Sequence, residues 1–201
     1  MIKNVIFDFG CVLVNWDQHN LYDPYFGSKE KTDWFIDNVC TWEWNNQTDI
    51  GKTFAESVAE KVSEFPEWEK EIRMYWERWE DMIGGEVEGM KEWIHELKSA
   101  GYQLYGLSNW SAETFPLVKD KFEVFGMLDG IVMSGEELIG KPDLRIYQIL
   151  LERYGLKAEE CVFIDDRQSN IEAGEKVGIS GIVFENCEQA KLEFTERYAT
   201  I

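Results

Sequence analysis

From residue 86 onward, apolar β-type runs alternate with amphipathic helical stretches, and no other feature constrains the fold as much. Strand–helix alternation of this kind produces a parallel sheet covered on both faces. The periodicity predicts a helix over Glu86–Ala100, with Met90, Trp93, Ile94 and Leu97 on its apolar side and Gly101 as its stop. A strand follows over Tyr102–Leu107, then a short helical stretch over Ala112–Lys121 and a strand over Leu128–Met133. Pro142 suits the first position of a helix running to Tyr154. Cys161–Ile164 and Gly181–Phe184 read as strands, and Ser169–Val177 and Glu188–Tyr198 as helices. One further strand lies far upstream, over residues 2–8. The expected class is α/β, a doubly wound, Rossmann-like parallel sheet.

The first strand is separated from the rest by a stretch of different character. Residues 15–84 carry seven of the nine tryptophans and have helical periodicity. Trp68, Ile72, Tyr75, Trp79 and Met82 recur at three- and four-residue steps, as one stripe of a helix does. Asp49-Ile50-Gly51 reads as a break between helices, and Thr53 can cap the next one. Gly84-Gly85 closes the region as a hinge would. The expected organisation is a core of residues 1–14 and 85–201, with residues 15–84 inserted as a helical cap. Because the insertion begins just beyond Asp8, it lies over the carboxyl end of the sheet, where it can exclude water. Most of its tryptophans are expected to pack between helices; Trp16 and Trp44 are the first candidates to touch a ligand.

The chain's formal charge is −19, which repels nucleic acid and anionic membrane surfaces. No apolar run approaches the ~20 residues of a membrane helix. Met1-Ile2-Lys3-Asn4 leads straight into a strand and does not read as a signal peptide. Cys11, Cys40, Cys161 and Cys187 lack metal-binding spacing, so four reduced thiols in a cytoplasmic protein are expected. His95 reads as a surface residue and His19 as a loop residue. Nothing in the sequence fixes an oligomeric state.

Chemistry-bearing residues occur at four stations, each just after a strand or before the next helix. Asp8 follows Val5-Ile6-Phe7, and Ser108-Asn109 follows the second strand. Lys141 precedes a helix, and Asp165-Asp166 follows Cys161-Val162-Phe163-Ile164. In an open parallel sheet all four fall at the carboxyl end, where ligands collect. Adjacent carboxylates repel and tolerate burial only with a cation or donors between them. Three acids there form a hard-oxygen cage suited to Mg2+.

Val5-Ile6-Phe7-Asp8-Phe9-Gly10-Cys11-Val12-Leu13 resembles the first motif of the haloacid dehalogenase-like hydrolase superfamily. Leu107-Ser108-Asn109 is similar to its second motif, Gly140-Lys141-Pro142 to its third, and Phe163 through Asn170 to its fourth. The inserted helices resemble the family's C1 cap, and the nearest look is to sugar-1-phosphate phosphatases and epoxide hydrolase phosphatase domains. The resemblance implies a Mg2+-dependent phosphatase of a small phosphorylated metabolite, such as a sugar phosphate. Asp8 would form an aspartyl-phosphate; Asp8, the Gly10 carbonyl and Asp166 would hold the metal. Ser108, Asn109 and Lys141 would bind the phosphoryl group, with Asp165 and Asn170 in support.

One position departs from the pattern. Such phosphatases carry a second aspartate two residues after the nucleophile, and Gly10 stands there. Asp17 is a candidate substitute. Gly10 also fits a metal-independent 2-haloacid dehalogenase, although the Asp165-Asp166 pair would then lie uncompensated beside an anionic substrate. A phosphoacceptor module and a low-turnover phosphate-binding protein are the further alternatives.

Overall fold

A computed structural model describes residues 1–198. Residues 199–201 of the predicted core lie outside the described residues. Five parallel strands form the main sheet: β1 (Asn4–Phe7), β4 (Gln103–Ser108), β5 (Gly130–Met133), β6 (Cys161–Asp165) and β7 (Ser180–Val183). Their order is β5-β4-β1-β6-β7, so the chain builds outward from β1 in one direction and then crosses to the other. That reversal makes the carboxyl end of β1 the crevice of the sheet.

β1 is central, and all four of its residues are buried. Side chains alternate across it. Val5 and Phe7 join the apolar layer that holds Trp93, Ile94, Leu97 and Phe194, from helices Met90–Ser99 and Cys187–Tyr198. Ile6 joins the opposite layer, with Ile146, Tyr147 and Leu150 of helix Leu144–Tyr154 and Ile171 of helix Gln168–Lys176. Burial on both faces explains the unbroken apolar run in the sequence. Each fully buried side chain of this size contributes roughly 1.5–3 kcal/mol. Gly106 in β4 has a packing reason: a Cβ there would collide with the Phe9 ring.

The tryptophan-rich stretch folds as five helices, α1 (His19–Phe26), α2 (Lys29–Asn38), α3 (Trp42–Asp49), α4 (Phe54–Glu64) and α5 (Glu69–Glu77). Thr53 starts α4 with a full capping box shared with Glu56. A two-stranded antiparallel ribbon connects these helices to the sheet, formed by β2 (Val14–Trp16) and β3 (Ile83–Glu86).

Three local expectations are corrected. Gly84 and Gly85 are strand residues of β3, with Gly85 paired to Asn15, because the returning chain finds β2 as a backbone partner. The Trp68–Met82 stripe is not one helix. It runs through 3-10 turns at Pro66–Trp68 and Trp79–Met82, with α5 between them. Pro142 does not open the following helix. Asp143 caps it, accepting from the Arg145 N–H at 2.9 Å, and the helix begins at Leu144.

Candidate active site

Register sets the first contact. Phe7 pairs with Ile164 across β1 and β6, and the Asp8 N–H donates to the Ile164 carbonyl at 2.9 Å. One step further along, Asp8 and Asp165 leave the sheet side by side. Lys141 lies between them. Its ammonium reaches Asp8 Oδ1 at 2.8 Å and Asp165 Oδ2 at 2.7 Å, and donates to the Leu107 carbonyl at 2.8 Å. Those three bonds use all three ammonium protons. The Lys141 backbone is fixed in turn by Asn109, whose side chain donates to its carbonyl at 2.9 Å and accepts from its N–H at 2.7 Å.

Asp165 is fully buried and fully engaged. Asn170 Nδ2 donates to its two oxygens at 2.9 and 3.0 Å, and the Arg167 N–H donates to Oδ1 at 2.8 Å. Asp8 is held by one oxygen only: Oδ1 accepts from the Phe9 N–H at 2.7 Å and from Lys141. Oδ2 is therefore the atom that can react. Asp166, next along the chain, is exposed.

Carboxylate oxygens of Asp8, Asp165 and Asp166 come within 4.8 Å of one another. Burial pushes the Asp8 carboxyl up, the Asp165 charge adds to the rise, and Lys141 opposes it. Burial and Asp165 likewise raise Asp166, against Arg167 and Lys141. For Lys141 itself, burial favours the neutral amine, but Asp165 and Asp8 outweigh it and raise its pKa. Three carboxylates with one ammonium leave two negative charges uncompensated, the charge of one divalent cation. Hard oxygen donors in that balance fit Mg2+.

A cavity of about 330 Å³ opens above these groups. Asp8, Gly10, Lys141 and Asp166 line its floor, and Trp16, Trp42, Trp79 and Trp110 stand in its walls. Arg167 lies at the rim with its guanidinium 4.2 Å from the centre of the Trp42 ring. Cys11, beside Gly10, has φ of 61°, an uncommon conformation for a non-glycine residue and one that clusters at functional sites. Ser108 is buried and is not among the residues lining the cavity, and its hydroxyl lacks a partner among the described residues.

Of the two tryptophans expected near a ligand, Trp16 lines the cavity. Trp44 does not; it is buried against Tyr75 and donates to the Ser57 carbonyl at 3.2 Å. Helical geometry explains the difference. Trp42 and Trp44 are two steps apart on α3, so they point to different faces. Asp17 is exposed and accepts from the His19 N–H at 2.8 Å, outside the cavity lining. His19 pairs with Asp23 and Asp33, and His95 with Glu123, all away from the cavity. The sequence reading missed Asp49, Trp79 and Trp110 as lining residues. Asp49 was legible only as the end of a helix.

The parallel α/β core, its helical insertion and an acid–lysine centre at the crevice of the sheet define a class of hydrolytic enzyme. The haloacid dehalogenase-like hydrolase family model matches residues 2–178, and the chain belongs to that family. It is 28% identical over 181 residues to a sesquiterpene phosphatase, astK, of Aspergillus oryzae, covering 90% of this chain and 88% of that protein. It is 24% identical over 110 residues to flavin mononucleotide hydrolase 1 of Arabidopsis thaliana, covering 55% of this chain but only 44% of that relative. Among solved structures, it resembles a haloacid dehalogenase family enzyme of Bacteroides thetaiotaomicron crystallised with magnesium and inorganic phosphate. The TM-score is 0.68 at 22% identity, covering 92% of this chain and 96% of that one. No described helix is long and apolar enough to cross a membrane.

Proposed function

We propose that the protein is a Mg2+-dependent phosphatase of a small phosphorylated metabolite, acting through an aspartyl-phosphate on Asp8. The observation that carries this reading is the convergence of three carboxylates within 4.8 Å around a single lysine. The phosphatase and flavin mononucleotide hydrolase relatives support it, as does the magnesium- and phosphate-bound structural neighbour.

Asp8 Oδ2 attacks phosphorus, while Lys141 and the Phe9 N–H hold Oδ1 and so aim the carboxylate. Asp8, the Gly10 carbonyl and Asp166 would hold Mg2+. The ion, when bound, neutralises charge on the phosphoryl oxygens. Ser108 supplies a hydroxyl whose buried, unpartnered state suits a phosphoryl acceptor. Asn109 contributes its backbone N–H, since its side chain is committed to Lys141. Asp165 and Asn170 position Lys141. Residues 15–84 act as a cap over a core of residues 1–14 and 85–201. Four free thiols support a cytoplasmic setting.

The tryptophan walls suit a substrate whose organic part is largely apolar. A sugar phosphate is the second reading, favoured by the Asn46 amide in the same wall. A phosphate-release screen over terpenyl, sugar and flavin phosphates, with and without Mg2+, tests function and substrate together. EDTA is expected to reduce release to background, and Mg2+ to restore it. Halide release from 2-haloacids in the presence of EDTA would overturn the reading in favour of a dehalogenase.

Gly10→Asp is a second test. The new Cβ meets nothing within 4 Å, so the site has room for it. Positioned proton transfer contributes ~10²–10⁴ in rate, and a poor leaving group needs it most. Turnover of alkyl phosphates is expected to rise relative to p-nitrophenyl phosphate by no more than about tenfold, because an acid already in the cavity supplies part of that gain. Equal effects on the two esters would count against this account of Gly10.

A further inference from the structure

Hydrolysis of an alkyl phosphate requires a proton for the departing oxygen and a base for the attacking water. The floor of the cavity offers neither. Asp8 is the nucleophile, Asp166 faces the metal position, and Lys141 has no proton to spare. Gly10 has no side chain. One further acid lines the same cavity: Asp49, the last residue of α3.

Asp49 is buried, and no cation among the described residues forms a salt bridge with it. A relay of hydrogen bonds fixes its orientation. Gln18 Nε2 donates to the Tyr75 hydroxyl at 3.4 Å, Tyr75 donates to Asn45 Oδ1 at 2.6 Å, and Asn45 Nδ2 donates to Asp49 Oδ2 at 3.0 Å. Because Tyr75 occupies the Asn45 oxygen, Asn45 must present its amide N–H to Asp49 Oδ2. The Ser134 hydroxyl donates to the Asp49 carbonyl and ties the end of α3 to the core. The titratable or charged groups that line the cavity with Asp49 are Asp8, Asp166, Lys141, Arg167 and Cys11.

We propose that Asp49 is the general acid and base of the reaction, working from the inserted helices onto the phosphoryl group held at Asp8. This step rests on the phosphatase reading. Asp8 Oδ2 bonds to phosphorus as the ester P–O bond breaks, and the Asp49 proton passes to the departing alcohol oxygen. Asp49, now a carboxylate, removes a proton from water; the oxygen attacks phosphorus, the Asp8–phosphorus bond breaks, and inorganic phosphate leaves. Asp49 ends protonated and Asp8 ionised, as both began. The electrostatics agree: burial pushes the Asp49 carboxyl up to about 8, the Asp8 charge adds to the rise, and the Ser111 N–H and Arg167 oppose it.

Asp49→Asn keeps the shape and the Asn45 contact but cannot transfer the proton. Alkyl phosphate turnover is expected to fall about 10²–10³-fold. With p-nitrophenyl phosphate, whose leaving group needs no proton, the variant should release a burst of nitrophenolate stoichiometric with enzyme and then turn over slowly, with Asp8 phosphorylated. A merely structural role produces no burst. Asp49→Glu should recover part of the alkyl rate. The second readout needs neither metal nor substrate. Unfolded, Asp49 ionises near its ordinary value, but folded it stays protonated until about pH 8, so the parent loses stability relative to Asp49→Asn as pH rises between the two. The gap in melting temperature should therefore widen from about pH 5 to about pH 9. Alkyl turnover within about threefold of the parent, or a pH-independent melting gap, overturns the role of Asp49. If the parent releases no phosphate from either ester, the phosphatase reading itself falls, and the role of Asp49 with it.

Discussion

Asp8→Asn is expected to reduce turnover by about 10⁴-fold or more while leaving the fold intact. An amide oxygen does not displace the alcohol from phosphorus, so the covalent step has no route. Loss of a member of a concerted catalytic group commonly removes the whole chemical advantage, which is why the expected effect is so large. The structural consequence is small by comparison. Asparagine keeps an oxygen for the Phe9 N–H and for Lys141, and Lys141 retains Asp165 as its counter-ion. Burial raises the Asp8 carboxyl above its unfolded value, so ionising it costs stability as pH rises from one to the other. Asparagine bears no such cost. The metal-free variant should melt at or above the parent temperature at neutral pH. Steady-state phosphate release and a thermal melt on the same sample check both halves; turnover near the parent level removes Asp8 from its role.

Lys141→Met should produce the opposite pattern, losing stability as well as activity. The lysine is buried, and its ammonium is the one cation bonded to both Asp8 and Asp165 among the described residues. Removing it leaves two buried carboxylates beside each other and orphans the Leu107 carbonyl. Breaking a buried pair by deleting one partner costs about 3–5 kcal/mol. In a chain of this size that lowers the melting temperature by roughly 10 °C. Burial and the Asp165 charge already raise the Asp8 carboxyl, and without the opposing lysine it takes up its proton in the folded variant at a higher pH than in the unfolded chain. The cost of ionising Asp8 is therefore present at neutral pH and shrinks as pH falls. Urea titrations at neutral and mildly acid pH measure this directly; equal losses at the two values would contradict the electrostatic account. Lys141→Arg is not a rescue, because a planar guanidinium cannot reproduce three bonds that diverge from one nitrogen.

Much of the core was legible because its signals are local. A strand buried on both faces reads as an unbroken apolar run, and Val5-Ile6-Phe7 and Cys161–Ile164 are such runs. Thr53 with Glu56 is a capping signal confined to four residues. Signals that depend on a distant partner were misread. Gly84-Gly85 looked like a hinge because glycine weakens a strand, yet pairing with β2 makes it one. Pro142 looked like a helix start because proline is favoured there, but the capping carboxylate belongs to Asp143. On α3, nothing local says which side faces the cavity, so Trp44 reads as a ligand candidate although Trp42 is the residue that lines it.

By itself the sequence determined that apolar strands alternate with helices, that Asp8, Ser108 and Asp165-Asp166 fall at strand ends and that Lys141 precedes a helix, because those facts are carried by neighbours along the chain. Only the tertiary structure decided that Asp8 stands beside Asp165 with Lys141 shared between them, and that Asp49 of an inserted helix lines the same cavity as Asp8 and Lys141. Strand order, register and the docking of α3 set those juxtapositions. Each is an energy of contact between segments far apart in the chain, which no local pattern encodes.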